Sequence, residues 1–137
     1  MEDMEVGFRN SGTVLLITVF VVALLSAVVI GMLRVITEEI QVMRNQVCSA
    51  EAMATGEAGL NDAFAELRGD SSWTAGFADK PFNGGSYTVT VAGALPNLTI
   101  TSTGTSAQGF VARVAADTTI GTNSPYIIRI DALRVNE

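Results

Sequence analysis

The sequence contains no histidine and a single cysteine, Cys48. These shortages exclude an intramolecular disulfide, a metal site built from histidines or several cysteines, and catalysis that pairs serine or cysteine with histidine. The remaining carboxylates, hydroxyls and the only lysine, Lys80, form no recognisable acid and base pair. We therefore expect a protein that is not an enzyme and that holds neither a cofactor nor a metal.

Basic residues are also scarce. The chain has 8 lysines and arginines against 14 aspartates and glutamates, for a net charge of -6. Because the basic residues are scattered along the chain, no cationic surface of the kind that binds phosphate backbones is expected. Nucleic acid is therefore not among the expected partners.

Charge disappears altogether from residues 13–33, which read TVLLITVFVVALLSAVVIGML. A helix needs roughly 20 apolar residues to cross about 30 Å of hydrocarbon, and this segment has that length. The polar residues 1–12 precede it. A secretory signal would have a shorter apolar run followed by an A-x-A-like exit, and this sequence has neither. The pattern predicts one transmembrane helix over residues 13–33.

The helical pattern continues past the apolar segment. Apolar residues recur at spacings of three and four from Ile36 through Ile40 and Met43 to Val47, and a shifted stripe follows them. No proline interrupts residues 13–67, and the pair Gly69 and Asp70 provides a stop signal. The sequence predicts that residues 34–70 form the amphipathic continuation of one long helix.

Residues 71–137 have the composition of a β-rich head. We expect residues 71–85 to form an ordered loop, followed by four strands near residues 86–92, 97–102, 108–115 and 126–135, each with period-two patterning. In the last strand the alternation places four apolar residues opposite Arg129 and Asp131: Tyr126, Ile128, Ile130 and Ala132. Short connections favour consecutive antiparallel neighbours.

The predicted sheet needs a cover for its apolar face, and the lower helix is the only available element. The side chains expected to pack against it are Leu60, Phe64 and Leu67. The expected fold is therefore α+β: a pilin-like long N-terminal helix, with a membrane-spanning upper half, on a small antiparallel four-stranded sheet.

Two stretches resemble a known family. The junction from Ser11 through Gly12 and Thr13 into the apolar run looks like the leader junction of type IV pilins and type II secretion pseudopilins, which a peptidase cuts after a glycine. Residues 50–63, which include AEAGL-like sequence at Gly56 to Leu60, are similar to a segment of PilX-type minor pilins and GspK-type pseudopilins. Residues 85–104 look like the first hairpin of their heads.

The resemblance implies that residues 1–12 are a leader removed by a prepilin peptidase between Gly12 and Thr13, with N-methylation of Thr13. It also implies insertion in the bacterial inner membrane as a single-pass protein, with the head in the periplasm or outside. The implied partners are the lipid bilayer, an inner-membrane assembly platform and other pilins or pseudopilins. The helix residues expected to contact lipid or those subunits are Val14, Leu15, Leu16, Ile17, Phe20 and Leu24.

One position departs from the family pattern. Major pilins carry a glutamate as the fifth residue of the mature chain, and here that position is Ile17. A carboxylate inside a bilayer is unfavourable unless it is paired, so its loss removes both that penalty and a contact that registers one subunit on the next. This departure favours a minor pilin or pseudopilin that primes, caps or enters a filament.

An alternative remains open at the level of sequence. Without cleavage at Gly12 the chain would be a single-pass anchor carrying a binding or adhesion module. Cleavage after Gly7 is disfavoured, because it would leave Arg9 at the start of the inserted segment. Arg9 and Arg34 flank the apolar run, so charge does not fix the topology. Neither a pilus nor a secretion system is favoured over the other.

Overall fold

A long helix, α1 (Glu5–Gly69), precedes all five strands of the chain. The computed structural model describes the backbone of residues 5–136 and the side chains of residues 12–136. Part of the expected leader, residues 1–4, therefore lies outside the described residues. The chain divides into two compact units, Met1–Met43 and Arg44–Glu137, and α1 contributes to both.

The helix ends where the sequence predicts a stop. The Asp70 amide donates to the Glu66 carbonyl at 2.8 Å, and the Asp70 side chain accepts from the Ser72 amide at 2.9 Å. A carboxylate that accepts the amide two residues ahead favours a turn over further helix. Arg68 lies in the last turn, where a cation interacts favourably with the helix dipole.

The head is an antiparallel sheet of five strands in sequence order: β1 (Phe77–Phe82), β2 (Gly85–Ala94), β3 (Asn97–Thr105), β4 (Val111–Ile120) and β5 (Ile128–Val135). Every strand pairs with its neighbour in sequence, as the short connections predict. The predicted layout of a long helix on an antiparallel sheet is confirmed, but the predicted count of four strands is wrong.

The extra strand, β1, lies in the segment expected to be a loop. Its sequence FADKPF has no period-two pattern and contains Pro81, which is tolerated because β1 is an edge strand. A bulge at Asp79, whose φ is +46°, further interrupts the alternation by which a strand is predicted from sequence. Pairing with β2 therefore forms a strand that the local sequence does not indicate.

The predicted alternation in the last strand is correct only in its first half. Asp117 pairs with Ala132, whereas Thr118 pairs with Ile130, so Asp131 is an extra residue in β5. This bulge shifts the alternation by one residue. Ala132 consequently lies on the outer face of the sheet, and the apolar side chains of Leu133 and Val135 lie on the inner face, beyond the part that α1 covers.

The core lies between the lower part of α1 and the central strands. Its buried side chains come from the helix and from β2, β3 and β4: Leu60, Ala63, Leu67, Tyr87, Val89, Leu98, Ile100, Val114, Ala116 and Ile120. Both edge strands contribute only partly buried residues, namely Phe77 and Ile128. One helix is about 10 Å wide while five strands extend about 19 Å, which explains why the edges are less well covered.

Candidate functional site

The predicted leader junction, Gly12 and Thr13, lies inside the helix as the structure describes it. α1 begins at Glu5 and passes through Gly12 and Thr13 without a break. A methyl group at Gly12 would have no atom within 4 Å, so this position is open to an approaching protein.

The apolar segment after the junction is exposed on every side. All residues from Gly12 to Met43 are exposed, and the large apolar side chains include those expected at a membrane or filament contact: Val14, Leu15, Leu16, Ile17, Phe20 and Leu24. Among the described residues, none packs on these side chains. The structure thus places the six residues around the helix rather than bringing them together as one site.

This segment fits a bilayer in length and composition. By length and composition, α1 is a candidate membrane span. Residues 13–33 rise about 32 Å in helical form, which matches about 30 Å of hydrocarbon. The chain therefore has a single candidate membrane span near its N-terminus, as far as the described residues extend.

The few hydroxyl groups of the upper helix are satisfied internally. Thr18 donates to the Val14 carbonyl at 2.7 Å, and Ser26 donates to the Val22 carbonyl at 2.8 Å. Polar atoms that bond to the carbonyl four residues earlier need no partner from the solvent. This is the condition that lipid imposes on a spanning segment, where an unsatisfied polar group is strongly unfavourable.

Small residues line the lower part of α1 where it meets the sheet. A methyl group at Gly104 of β3 would overlap the Gly56 amide nitrogen and the Ala52 carbonyl oxygen. A methyl group at Gly59 would overlap the Ser102 hydroxyl and would lie 2.7 Å from the Tyr87 ring. Because helix and sheet backbones approach this closely, side chains larger than hydrogen do not fit at Gly59 and Gly104.

The three residues expected to pack on the head differ in burial. Leu60 and Leu67 are buried, and Leu67 is among the largest fully buried side chains. Phe64 is only half-buried and packs against the border of the core. The resemblance drew attention to the region around Gly56 and Gly59, but nothing in the sequence identified these glycines as the closest contacts.

A polar cluster closes one side of the helix against β1 and β2. Lys80 donates to Asp62 at 2.5 Å, and the Tyr87 hydroxyl donates to the same carboxylate oxygen. The hydrogen bond from Lys80, followed by that from Tyr87, holds the pKa of Asp62 below its usual value. The bond to Asp62 raises the pKa of Lys80, and burial raises that of Tyr87.

Aromatic rings extend this closed side. The Phe77 ring lies 5.1 Å from that of Trp73 and 6.1 Å from that of Tyr87, between ring centroids. The Lys80 ammonium lies 4.5 Å from the Phe77 ring centroid, within cation–π range. The sequence does not predict this cluster, because Asp62, Lys80 and Tyr87 are distant in the chain and follow no spacing rule.

Within the described part of the chain, no group of three or more carboxylate and thiol side chains is placed to hold a metal ion. No protein-family model matches the sequence, and no match was found among curated proteins or solved structures. The chain's own features, above all the exposed apolar helix and the head that follows it, are the basis for inferring its function.

Proposed function

We propose that this chain is a minor pilin or pseudopilin: a membrane-inserted structural subunit that primes, caps or enters a type IV pilus or a type II secretion filament. The observation that carries this proposal is the contrast within α1. Its upper part carries exposed apolar side chains on every side, while its lower part is packed on a folded head.

Such a helix suits two environments in turn. Its backbone hydrogen bonds are made within the helix, so it can leave lipid for a bundle of like helices without losing any of them. Around it, exposed valines, leucines and isoleucines supply surface for either environment. The proposed partners are the lipid bilayer, other pilins or pseudopilins and an inner-membrane assembly platform.

The proposed location is the inner membrane, with the head in the periplasm or outside the cell. A prepilin peptidase would remove residues 1–12 and leave Thr13 as an N-methylated terminus. The absence of a carboxylate at Ile17 supports a low-copy subunit, because a repeated shaft needs a register contact at every step whereas a priming subunit does not.

Intact-mass and amino-terminal analysis of the chain recovered from membranes tests processing. We expect a chain that begins at N-methylated Thr13 and a Gly12→Ala variant that retains the leader. Gly7→Ala is the matched control, and this variant should be processed normally. A wild-type chain that begins at Met1 would contradict the proposal and favour an uncleaved membrane-anchored binding or adhesion module.

A further inference from the structure

The two sides of the lower helix differ in how they meet the sheet. Asp62 bonds to Lys80 of β1, Gly59 faces Tyr87 and Ser102 of β2 and β3, and Gly56 faces Val114 of β4. Because successive helix residues are rotated by about 100°, Met53 and Phe64 lie on the opposite side from Asp62, toward β4 and β5. Both are only partly buried.

On that side, β5 presents apolar side chains that α1 does not cover. Ile130, Leu133 and Val135 are 51%, 59% and 42% exposed, although their register places them on the same face as the buried Thr118, Ala116 and Val114. This exposed apolar row of Ile130, Leu133 and Val135, on the side of the helix that carries Met53 and Phe64, is here called the β5 groove. On the β1 side, the polar cluster and the aromatic rings occupy the equivalent place.

The backbone of β5 is also available for pairing. The Gly121 amide donates to the Ile127 carbonyl and the Asn136 amide donates to the Arg113 carbonyl, so these ends of the strand face β4. Peptide groups alternate between the two edges of an antiparallel strand. The amides of Ile130, Leu133 and Val135 therefore point to the open edge, and the same residues supply the apolar row.

The opposite edge of the sheet, β1, is not suited to pairing with another strand. In β1, Pro81 has no amide hydrogen, Lys80 is bound to Asp62, and the bulge at Asp79 breaks the register. Proline, lysine and bulges are the usual means by which an edge strand is prevented from pairing with another chain. Only the β5 edge combines unpaired amides with an apolar row.

Charge on the outer face of β5 indicates what kind of strand would fit. The outer face of β4 and β5 carries three arginines and two aspartates, an excess of one positive charge in a chain of net charge -6: Arg113, Arg129, Arg134, Asp117 and Asp131. Arg134 is ion-paired with Asp117. Arg129 is ion-paired with Asp131 yet 74% of its side chain remains exposed. Opposite charges directly across two strands stabilise their pairing.

We propose that the β5 groove binds an extended segment of a partner protein as a sixth strand. The segment alternates apolar residues, which fill the groove, with acidic residues, which face the arginines. Main-chain hydrogen bonds to the β5 edge provide affinity, and the alternating side chains provide specificity. This proposal concerns the head alone and does not depend on the chain's assembly into a filament.

Residue-resolved hydrogen exchange on the full chain in lipid nanodiscs tests the proposal. The probe is a synthetic eight-residue peptide that alternates valine with glutamate. At saturating peptide, we expect the Ile130, Leu133 and Val135 amides to exchange at least about tenfold more slowly, because strand addition closes them in hydrogen bonds. The same peptide with alternate backbone nitrogens methylated removes half of these bonds and should not bind.

A pair of variants tests whether the peptide binds at the β5 groove. Leu133→Lys, which places a charge in the groove, should weaken peptide binding about tenfold or more. Val111→Lys introduces the same charge at another exposed position and should leave binding unchanged. A peptide in which lysine replaces glutamate should also bind more weakly.

Several outcomes would overturn the proposal. Shielding of the β5 side chains without slower amide exchange would indicate a docked helix or the membrane surface. Slow exchange before peptide is added would indicate that a second copy of the chain already occupies the edge. Unchanged exchange at millimolar peptide would show that the edge does not accept this class of strand.

Discussion

The two parts of α1 meet their surroundings with opposite kinds of side chain. Residues 13–33 present large apolar groups on every side and bury none of them, whereas residues 52–67 bury mainly small residues and two leucines on a single face. Bulky side chains suit contact with lipid or with exchangeable neighbours, and small ones suit a fixed contact between backbones. The lower part of the helix is therefore packed on the head, whereas the apolar side chains of the upper part are exposed.

The largest expected loss of stability comes from placing a larger side chain where the lower part of α1 contacts β3. Gly104→Val would force β3 away from Gly56 and Ala52, and should destabilise the head by about 4 kcal/mol or prevent its folding. Gly31→Val is the matched control in the upper part, where the glycine has no atom within 4 Å. Chemical denaturation of the full chain in detergent measures both. Equal losses for the two variants would contradict the comparison.

A charge in the upper part of α1 should weaken membrane insertion and leave the stability of the head unchanged. Leu24→Asp lies near the middle of residues 13–33 and should raise the free energy of membrane insertion by about 3 kcal/mol. Because Leu24 is exposed and belongs to the other compact unit, the unfolding midpoint of the head should not move. Extraction of membranes with carbonate measures insertion, with Leu24→Ala as the control. Retention of Leu24→Asp at the wild-type level would argue against a spanning segment.

Two truncations of apolar side chains compare how much each position of the helix contributes to the stability of the head. Leu67→Ala removes a fully buried side chain and should lower the free energy of unfolding by about 3 kcal/mol. Phe64→Ala should lower it by less, about 2 kcal/mol, because part of that side chain is exposed. Denaturation curves decide the order, and a larger loss for Phe64→Ala would place the helix differently on the sheet.

The smallest effect is expected at the polar cluster, whose ion pair is largely exposed to solvent. Asp62→Asn should lower the unfolding midpoint at neutral pH by less than Phe64→Ala does. Since the folded state lowers the pKa of Asp62, its contribution is complete above the unfolded pKa of about 3.9 and is lost as the pH falls through the folded value. The two midpoints should therefore converge in acid. A difference that persists there would assign the effect to packing.

The sequence is sufficient for the features that depend on local periodicity. The uninterrupted apolar run, its helical continuation to Gly69, strands β2 and β3 and the first half of β4 follow from spacing and composition. These are also the features that define the proposed membrane segment. The identity of Leu60 and Leu67 as core residues follows from the same helical stripe. The third predicted strand, 108–115, begins too early and misses residues 116–120, which extend β4 through pairing with β3 and β5.

Features that depend on pairing between distant segments could not be predicted. β1 forms only because β2 lies beside it, and the bulge at Asp131 reverses the faces of β5 after the pattern has been correct for several residues. The polar cluster likewise needs Asp62 and Lys80 to be brought together by the fold. The β5 groove follows from that bulge, so no reading of the last strand by alternation alone reveals it.

Quantitative mass spectrometry of sheared filaments is the most direct test of the central claim, that the exposed upper helix belongs to a filament subunit of low copy number. We expect peptides from this chain in the filaments, beginning at Thr13, at a small fraction of the abundance of the main subunit. A chain that stays entirely in the membrane fraction would contradict incorporation, and a chain that dominates the filaments would contradict the minor role inferred from Ile17.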